Sequence, residues 1–299
     1  MELKGKRILL TGSEGFVGKN LAQELRRQGA EVLTLIDRNG QMIDIRDWEK
    51  IREIRNLDMV YHLAATTGIP FSFENPRETY EVNVLGTLNI LELCRLRSIR
   101  KVVFASAYVY GDPQYLPIDE KHPLGPANPY ARSKVLAENL CSVYCEDYGL
   151  ECIVLRAFNI YGKGQTDSFL IPSILKELLN RKIELLDPAP RRDFLYIIDA
   201  VNAYIRAGEY EGSGFEIFNI GSGVSHRVSD VVDLILKISG TKCSVVYKNE
   251  RRKNEVMDTV ADISKAKRLL KWEPSIALED GLKNMIPDSI SHSQSMKYG

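Results

Sequence analysis

Thr11-Gly12-Ser13-Glu14-Gly15-Phe16-Val17-Gly18 follows the apolar run Arg7-Ile8-Leu9-Leu10 and leads into a helical pattern from about Val17 to Gln28. Glycines spaced three apart at a strand-to-helix junction suit a backbone that turns tightly and then admits an anion. Gly12 permits the turn, Gly15 lets a pyrophosphate approach the main chain, and Gly18 lets helix and strand pack closely. A glycine triplet alone says little, because ordinary turns produce it. Here it sits at the first strand–helix junction, and Asp37 closes the next apolar run, Glu31-Val32-Leu33-Thr34-Leu35-Ile36. That context predicts a dinucleotide site. A carboxylate at Asp37 accepts both hydroxyls of an adenosine ribose and repels a 2′-phosphate, which favours NAD. Arg38 is suited to that phosphate if it turns inward, so NADP stays open.

Outward from the loop, short β-rich runs alternate with helical patterns: a strand near Met42-Ile43, another at Met59-Val60-Tyr61-His62-Leu63, and a long helix from roughly Tyr80 to Arg97. A fifth strand is expected at Lys101-Val102-Val103-Phe104-Ala105. Strands apolar on both faces and separated by helices predict an α/β fold, a doubly wound parallel sheet with ligands at the carboxyl ends of its strands. The second half is broken by Gly and Pro, with helical patterns near 168–181 and 228–239. It predicts a smaller, interleaved α/β substrate-binding lobe. The expected division is 1–160 plus about 194–220 for the dinucleotide-binding domain, and about 161–193 plus 221–286 for the lobe. A polar, Ser-rich stretch at 287–299 reads as a flexible tail.

Bulk properties exclude other classes. The 299 residues carry 40 Lys+Arg against 40 Asp+Glu, so no chain-wide attraction to nucleic acid or anionic lipid is expected. No apolar run approaches the roughly 20 residues that span a bilayer, and the first residues lack a signal-peptide core. A soluble, cytoplasmic protein is expected. Five cysteines without a Cys-x-x-Cys pair, and four histidines (His62, His122, His226, His292) without ligand spacing, predict neither a disulfide framework nor a metal site.

Tyr130-Ala131-Arg132-Ser133-Lys134 places a phenol and an ammonium at i and i+4, on one helical face. A free phenol ionises near pH ~10 and is a poor base at neutrality. A neighbouring ammonium favours the phenolate, and bringing it to about 7 needs ~4 kcal/mol. Lys134 together with a positive nicotinamide ring is suited to supply that.

In this order, the segments resemble the extended short-chain dehydrogenases/reductases, the NAD-dependent epimerase/dehydratase family of nucleotide-sugar enzymes, from about Lys6 to Leu282. The resemblance rests on the Gly-x-x-Gly-x-x-Gly spacing, Asp44-Ile45, His62-Leu63-Ala64-Ala65, Asn83-Val84-Leu85-Gly86-Thr87, Ser106 in Ala105-Ser106-Ala107-Tyr108-Val109-Tyr110-Gly111, and Tyr130-x-x-x-Lys134. It implies a Rossmann sheet and an NAD cofactor held by Gly12, Gly15, Phe16, Val17, Gly18, Asp37 and Arg38. Asp44 and Ile45 would meet the adenine, Leu63, Ala64 and Ala65 would flank the cofactor, and Asn83 would brace the sheet behind the nicotinamide. Ser106, Tyr130, Lys134 and Phe158 would complete its surroundings. Ser106 is then the hydroxyl's hydrogen-bond partner, Tyr130 the acid/base, and Lys134 the group that tunes Tyr130 and holds the nicotinamide ribose.

On the substrate side the resemblance covers Arg156-Ala157-Phe158-Asn159-Ile160-Tyr161-Gly162, Arg191-Arg192-Asp193-Phe194, Arg252-Lys253-Asn254-Glu255, Phe218-Asn219-Ile220-Gly221 and Lys271-Trp272-Glu273-Pro274. It implies a UDP-sugar or related nucleotide-diphosphate sugar. Asn159 would meet the sugar or diphosphate, Arg192 and Arg252 the diphosphate, Phe194 the base or sugar, and Glu255 the nucleotide ribose. Two converging guanidinium forks match phosphate oxygens. Asp187-Pro188-Ala189-Pro190 stands where the family has a Gly-rich turn, and Asn254 where Gly is usual.

Family members that eliminate water carry an acidic pair after the serine, and decarboxylating members a Glu. Ala107 and Tyr108 supply neither. C4 epimerisation through a transient 4-keto sugar is therefore the expected reaction, with an NAD(P)H-dependent 4-ketosugar reductase as the alternative. A non-catalytic NAD-sensing regulator fits less well, because Tyr130 and Lys134 are both present. The resemblance also implies a homodimer formed through the Tyr130 helix.

Overall fold

A computed structural model describes residues 2–37, 39–251 and 255–286. The strands are β1 (Arg7–Thr11), β2 (Glu31–Thr34), β3 (Met59–His62), β4 (Lys101–Ser106), β5 (Glu151–Ala157), β6 (Asn159–Tyr161), β7 (Lys182–Leu185), β8 (Arg191–Tyr196), β9 (Phe215–Ile220), β10 (Ser225–Arg227) and β11 (Ser244–Tyr247). The main sheet has the order β2-β1-β3-β4-β5-β9, and every neighbouring pair is parallel.

The two-residue period of a strand explains why the middles of β1, β4 and β5 are apolar at successive positions. Ile8 and Leu10 of β1, Val103 of β4 and Ile153 and Leu155 of β5 enter one core, beneath the helices Phe16–Arg27 and Ile197–Glu209. Leu9, Val102, Phe104, Cys152 and Val154 point the other way, beneath Gly86–Leu96 and Pro129–Tyr148. Each fully buried aliphatic side chain contributes roughly 1.5–3 kcal/mol, so both faces must be covered. Strand order reverses between β2-β1 and β3. The crevice therefore opens where β1 runs into Gly12 and β3 into Leu63.

After β5 the chain leaves the main sheet at Ala157 and returns to it only at β9. In between, β6 and β8 pair in parallel, and β10 later adds to β8 antiparallel. β7 and β11 form a separate parallel pair. Helices Leu170–Leu179 and Val228–Ser239 pack their Ile171, Ile174, Leu178, Val231, Val232 and Ile235 into the first core, which runs on without a break from the main sheet.

Two expectations are corrected. Met42-Ile43 is not a strand: Ile36 and Met42 make a single antiparallel bridge across the Asn39-Gly40 turn, and two apolar residues beside Asp44 are too few to extend it. The strand that ends at Ser106 is thus the fourth. The helix expected from Tyr80 starts at Pro76, as Pro76–Tyr80, and passes through a π-helical turn, Glu81–Leu85, before Gly86–Leu96. Such turns insert one residue and cluster at functional positions. This one carries Asn83. The stretch 287–299 lies outside the described residues.

Candidate active site

The glycine loop is built by close approach. Gly12 has φ +70°, and a Cβ there would lie 2.7 Å from the Ala64 backbone nitrogen. A Cβ on Gly18 would lie 2.0 Å from the Gly12 carbonyl oxygen. No side chain fits at either place. The helix that follows is not capped by a side chain, and its first internal bond runs from Lys19 N–H to Gly15 C=O. The amides of Phe16 and Val17 therefore stand outside the helical ladder, at the positive end of the helix dipole, where an anion is favoured.

A chain of buried hydrogen bonds fixes the walls of the crevice. Leu63 N–H (3.1 Å) and Ala64 N–H (3.0 Å) donate to Thr11 Oγ1, which lies 2.7 Å from His62 Nδ1. His62 Nε2 lies 3.0 Å from Thr87 Oγ1, and that hydroxyl donates to Asn83 C=O at 2.6 Å. One tautomer satisfies the whole chain: Nδ1 accepts from Thr11 and Nε2–H donates to Thr87. Burial pushes the imidazole down to about 3, so His62 stays neutral and its bonds survive across the working pH range. Asn83 continues the brace, accepting from Thr66 N–H (2.8 Å) and donating to Thr66 C=O (3.1 Å) and Ser133 Oγ (2.8 Å). It thereby ties the turn after β3 to the Tyr130 helix. The sequence does not show this chain, because Thr11 and His62 stand 51 residues apart and His62 and Thr87 25.

At the adenosine end, Asp37 Oδ1 accepts from Asn39 N–H (2.8 Å) and Gln41 N–H (2.9 Å). The carboxylate is thus held in a turn three residues beyond β2. Arg38 lies outside the described residues. Asp44 pairs with Arg46 at 2.5 Å, which lowers its pKa, and Asn89 Nδ2 donates to the Ile45 carbonyl at 2.9 Å. Ala65 follows Ala64 along the same wall.

The reacting groups gather where the carboxyl end of β4 meets the helix Pro129–Tyr148. Sequence sets that helix locally: Asn128 caps it by accepting from Ala131 N–H at 2.8 Å, Pro129 opens it, and Gly149 (φ 70°) closes it. Lys134 Nζ donates to Ala105 C=O at 2.8 Å and lies 4.8 Å from the centre of the Phe104 ring. Ser106, the next residue of β4, donates to Glu138 Oε1 at 2.5 Å. Among the described residues the Tyr130 hydroxyl makes no hydrogen bond. Burial pushes that phenol up to about 12. Lys134 alone does not bring it to neutrality.

Burial also pushes Lys134 down to about 8, against the Glu138 carboxylate, which raises it. Its ammonium is the form suited to polarise Tyr130 and hold ribose hydroxyls. That form is present below about 8 and lost above it. Turnover is expected to fall along an alkaline limb near pH 8, where an unburied lysine would hold its proton to about 10.4. A pH–rate profile flat to pH 10 would contradict this.

On the substrate side, Arg192 donates to Glu255, to Arg191 C=O and to Val256 C=O, so one guanidinium joins β8 to the segment at 255–256. Asn159 is exposed, and its Nδ2 donates to Asp193 C=O at 3.1 Å. Arg252 lies outside the described residues. Phe158 is buried against Tyr108 (5.4 Å between ring centres). Phe194 is 6% exposed, with its ring edge-on to Tyr161.

The groups present fit a dinucleotide: a loop that admits no Cβ, uncapped helix amides, a ribose-facing type of carboxylate at Asp37 and a buried ammonium at Lys134. The sequence profile of the NAD dependent epimerase/dehydratase family matches residues 8–221. A putative UDP-glucose 4-epimerase from Methanocaldococcus jannaschii is 34% identical over 300 residues, covering 93% of this chain and 97% of its own. The solved structure of UDP-glucose 4-epimerase from Thermotoga maritima with UDP-glucose superposes with a TM-score of 0.86 at 28% identity, covering 94% of this chain and 97% of its own. RMD from Pseudomonas aeruginosa, complexed with NADPH, gives 0.87 at 29% identity, covering 96% and 99%.

Proposed function

Because the chain belongs to the NAD-dependent epimerase/dehydratase family, an extended short-chain dehydrogenase/reductase family, we propose that it interconverts the C4 epimers of a UDP-sugar. The observation that carries this reading is the company of Ser106. Lys134 is bonded to the residue before it, the Tyr130 helix packs beside it, and the two residues after it are Ala107 and Tyr108. A site with one acid/base group and no carboxylate at those two positions is equipped to oxidise and re-reduce a carbinol, not to eliminate across C5–C6.

NAD, when bound, supplies the acceptor and donor of hydride. Gly12, Gly15, Gly18 and the Phe16 and Val17 amides would hold its pyrophosphate, Asp37 the adenosine ribose, and Lys134 the nicotinamide ribose. Tyr130 Oη takes the proton of the C4 hydroxyl and returns it once the 4-keto sugar has presented its other face. Ser106 Oγ orients that hydroxyl, and Arg192 and Asn159 face the diphosphate and sugar. Asp37 favours a cofactor without a 2′-phosphate, which suits one recycled in place.

The test is product analysis after incubation with UDP-glucose, UDP-N-acetylglucosamine or UDP-glucuronate and at most one equivalent of NAD. Both C4 epimers of one pair are expected. The likeness to RMD, whose structure holds NADPH, favours a second reading, single hydride delivery to a 4-ketosugar. No epimerisation, with stoichiometric NADPH consumption on a UDP-4-ketosugar, would decide for it.

The reading extends to assembly and location. Leu136 and Val143 on the Tyr130 helix and Leu85 on its neighbour are exposed apolar groups on adjoining helices, which supports a homodimer through this face. A monomer mass in solution would exclude it. No described helix is long and apolar enough to cross a membrane, and four of the five free cysteines are buried, which suits a reducing cytoplasm.

A further inference from the structure

Tyr130, Lys134 and Glu138 are spaced i, i+4 and i+8, so one face of the helix carries all three. Glu138 is 2% exposed and lies deepest on that face. One of its oxygens, Oε1, receives the Ser106 hydroxyl proton at 2.5 Å. Arg156 of β5 grips the same carboxylate, with Nη2 2.6 Å from Oε2 and Nε 3.0 Å from Oε1. That guanidinium is itself fixed: Nη1 donates to Tyr110 Oη at 3.1 Å, and Tyr110 Oη donates to Asn219 Oδ1 at 2.5 Å. Asn219 Nδ2 then donates to Ile118 C=O at 2.9 Å.

A buried ion pair is weak evidence for stability, because desolvating two charges offsets most of their attraction. What this pair does is geometric. The one Ser106 proton rests on Glu138, which places Oγ from the helix that carries Tyr130, and it must turn to the sugar oxygen when Tyr130 takes the C4 hydroxyl's own proton. The strand that holds the hydroxyl partner and the helix that holds the acid/base are thereby locked in register at the point where a sugar carbinol must touch both. The same carboxylate favours the ammonium form of Lys134 one turn away.

We propose that Glu138, held by Arg156, is the positioning residue that fixes Ser106 Oγ against Tyr130. The proposal rests on the reading that Ser106 contacts the reacting hydroxyl. A double-mutant cycle separates the two: Ser106→Ala, Glu138→Gln and both together, assayed on UDP-glucose with one equivalent of NAD, alongside melting temperature. A displacement of a reacting partner by about 1 Å costs on the order of 10²-fold. Glu138→Gln is expected to lower kcat about 10- to 100-fold with KM changed less than about twofold, and in the Ser106→Ala background to leave only the smaller effect felt through Lys134, read as an alkaline limb moved to lower pH. Effects that multiply across the two sites would overturn the positioning role while leaving the function standing. Unchanged kcat in Ser106→Ala would overturn both. If Glu138→Gln fails to fold with Arg156 unpaired, Glu138→Met with Arg156→Met replaces the pair by apolar groups. Full turnover in that variant overturns the proposal. A loss that shrinks to the Lys134 effect in the Ser106→Ala background supports it.

Discussion

Tyr130→Phe is expected to lower kcat by about 10³-fold or more, with the melting temperature and NAD affinity almost unchanged. General acid–base groups contribute on the order of 10²–10⁴-fold, and the structure offers no substitute at this position. Ala107 and Tyr108 follow Ser106, and the Tyr108 hydroxyl is already committed to the Gly111 carbonyl at 2.6 Å. The fold should not notice the change. The Tyr130 hydroxyl bonds no described residue, so removing it orphans no buried partner. The phenol starts at about 12 in the unliganded protein, and reaching neutrality requires roughly 7 kcal/mol of differential stabilisation. The Lys134 ammonium and the positive charge brought by the cofactor must act together to provide it. Steady-state rates on UDP-glucose and calorimetry on the same preparation test this. Retention of more than a tenth of the rate would remove Tyr130 from the chemistry, and a biological role that survives the substitution would favour an NAD sensor.

Residues whose job is set by their chain neighbours were readable from the sequence. Gly12 and Gly18 are demanded by a turn and a helix that follow within eight residues. The middles of β1 (Ile8, Leu9, Leu10) and β4 (Val102, Val103, Phe104) betray burial on two faces because successive positions are apolar. What stayed hidden depends on partners far along the chain. Glu138 reads as a solvated helix residue until Arg156 and Ser106 are seen to enclose it. His62 belonged to a recognisable segment, yet its two hydrogen bonds span 51 and 25 residues. Phe194 follows Arg192-Asp193 in sequence, and only the structure shows its ring packed edge-on to Tyr161. Met42-Ile43 matched the spacing of a strand, but the turn at Asn39-Gly40 left room for only one bridge.

Asp193 shows the same limit at its largest energetic scale, and Asp193→Ala is expected to destabilise the protein by about 3–5 kcal/mol, the usual consequence of breaking a buried charged network. The side chain is fully buried in the middle of β8. Oδ1 accepts from Ser222 N–H (2.5 Å) and Ser222 Oγ (2.7 Å), and Oδ2 from Gly223 N–H (3.0 Å) and Ala261 N–H (3.0 Å). Burial raises this carboxyl above the ordinary range against the four bonds that lower it, so the environment is dry enough to make each lost bond costly. Alanine would leave three amide donors unmet, at about 1–3 kcal/mol each before relaxation, while the Ser222 hydroxyl keeps the Val224 carbonyl as an acceptor at 3.0 Å. The loop is also crowded from the other side, where a Cβ on Gly221 would lie 2.7 Å from Ala261 Cβ. Asparagine should be nearly as damaging, since its NH2 would face two N–H donors. Ser222→Ala, which removes one hydroxyl and keeps the carboxylate, should cost only about 1 kcal/mol. Urea unfolding of the three variants orders them. An Asp193→Asn protein as stable as wild type would show that the loop at 221–223 and the segment at 261 are held by something other than this carboxylate.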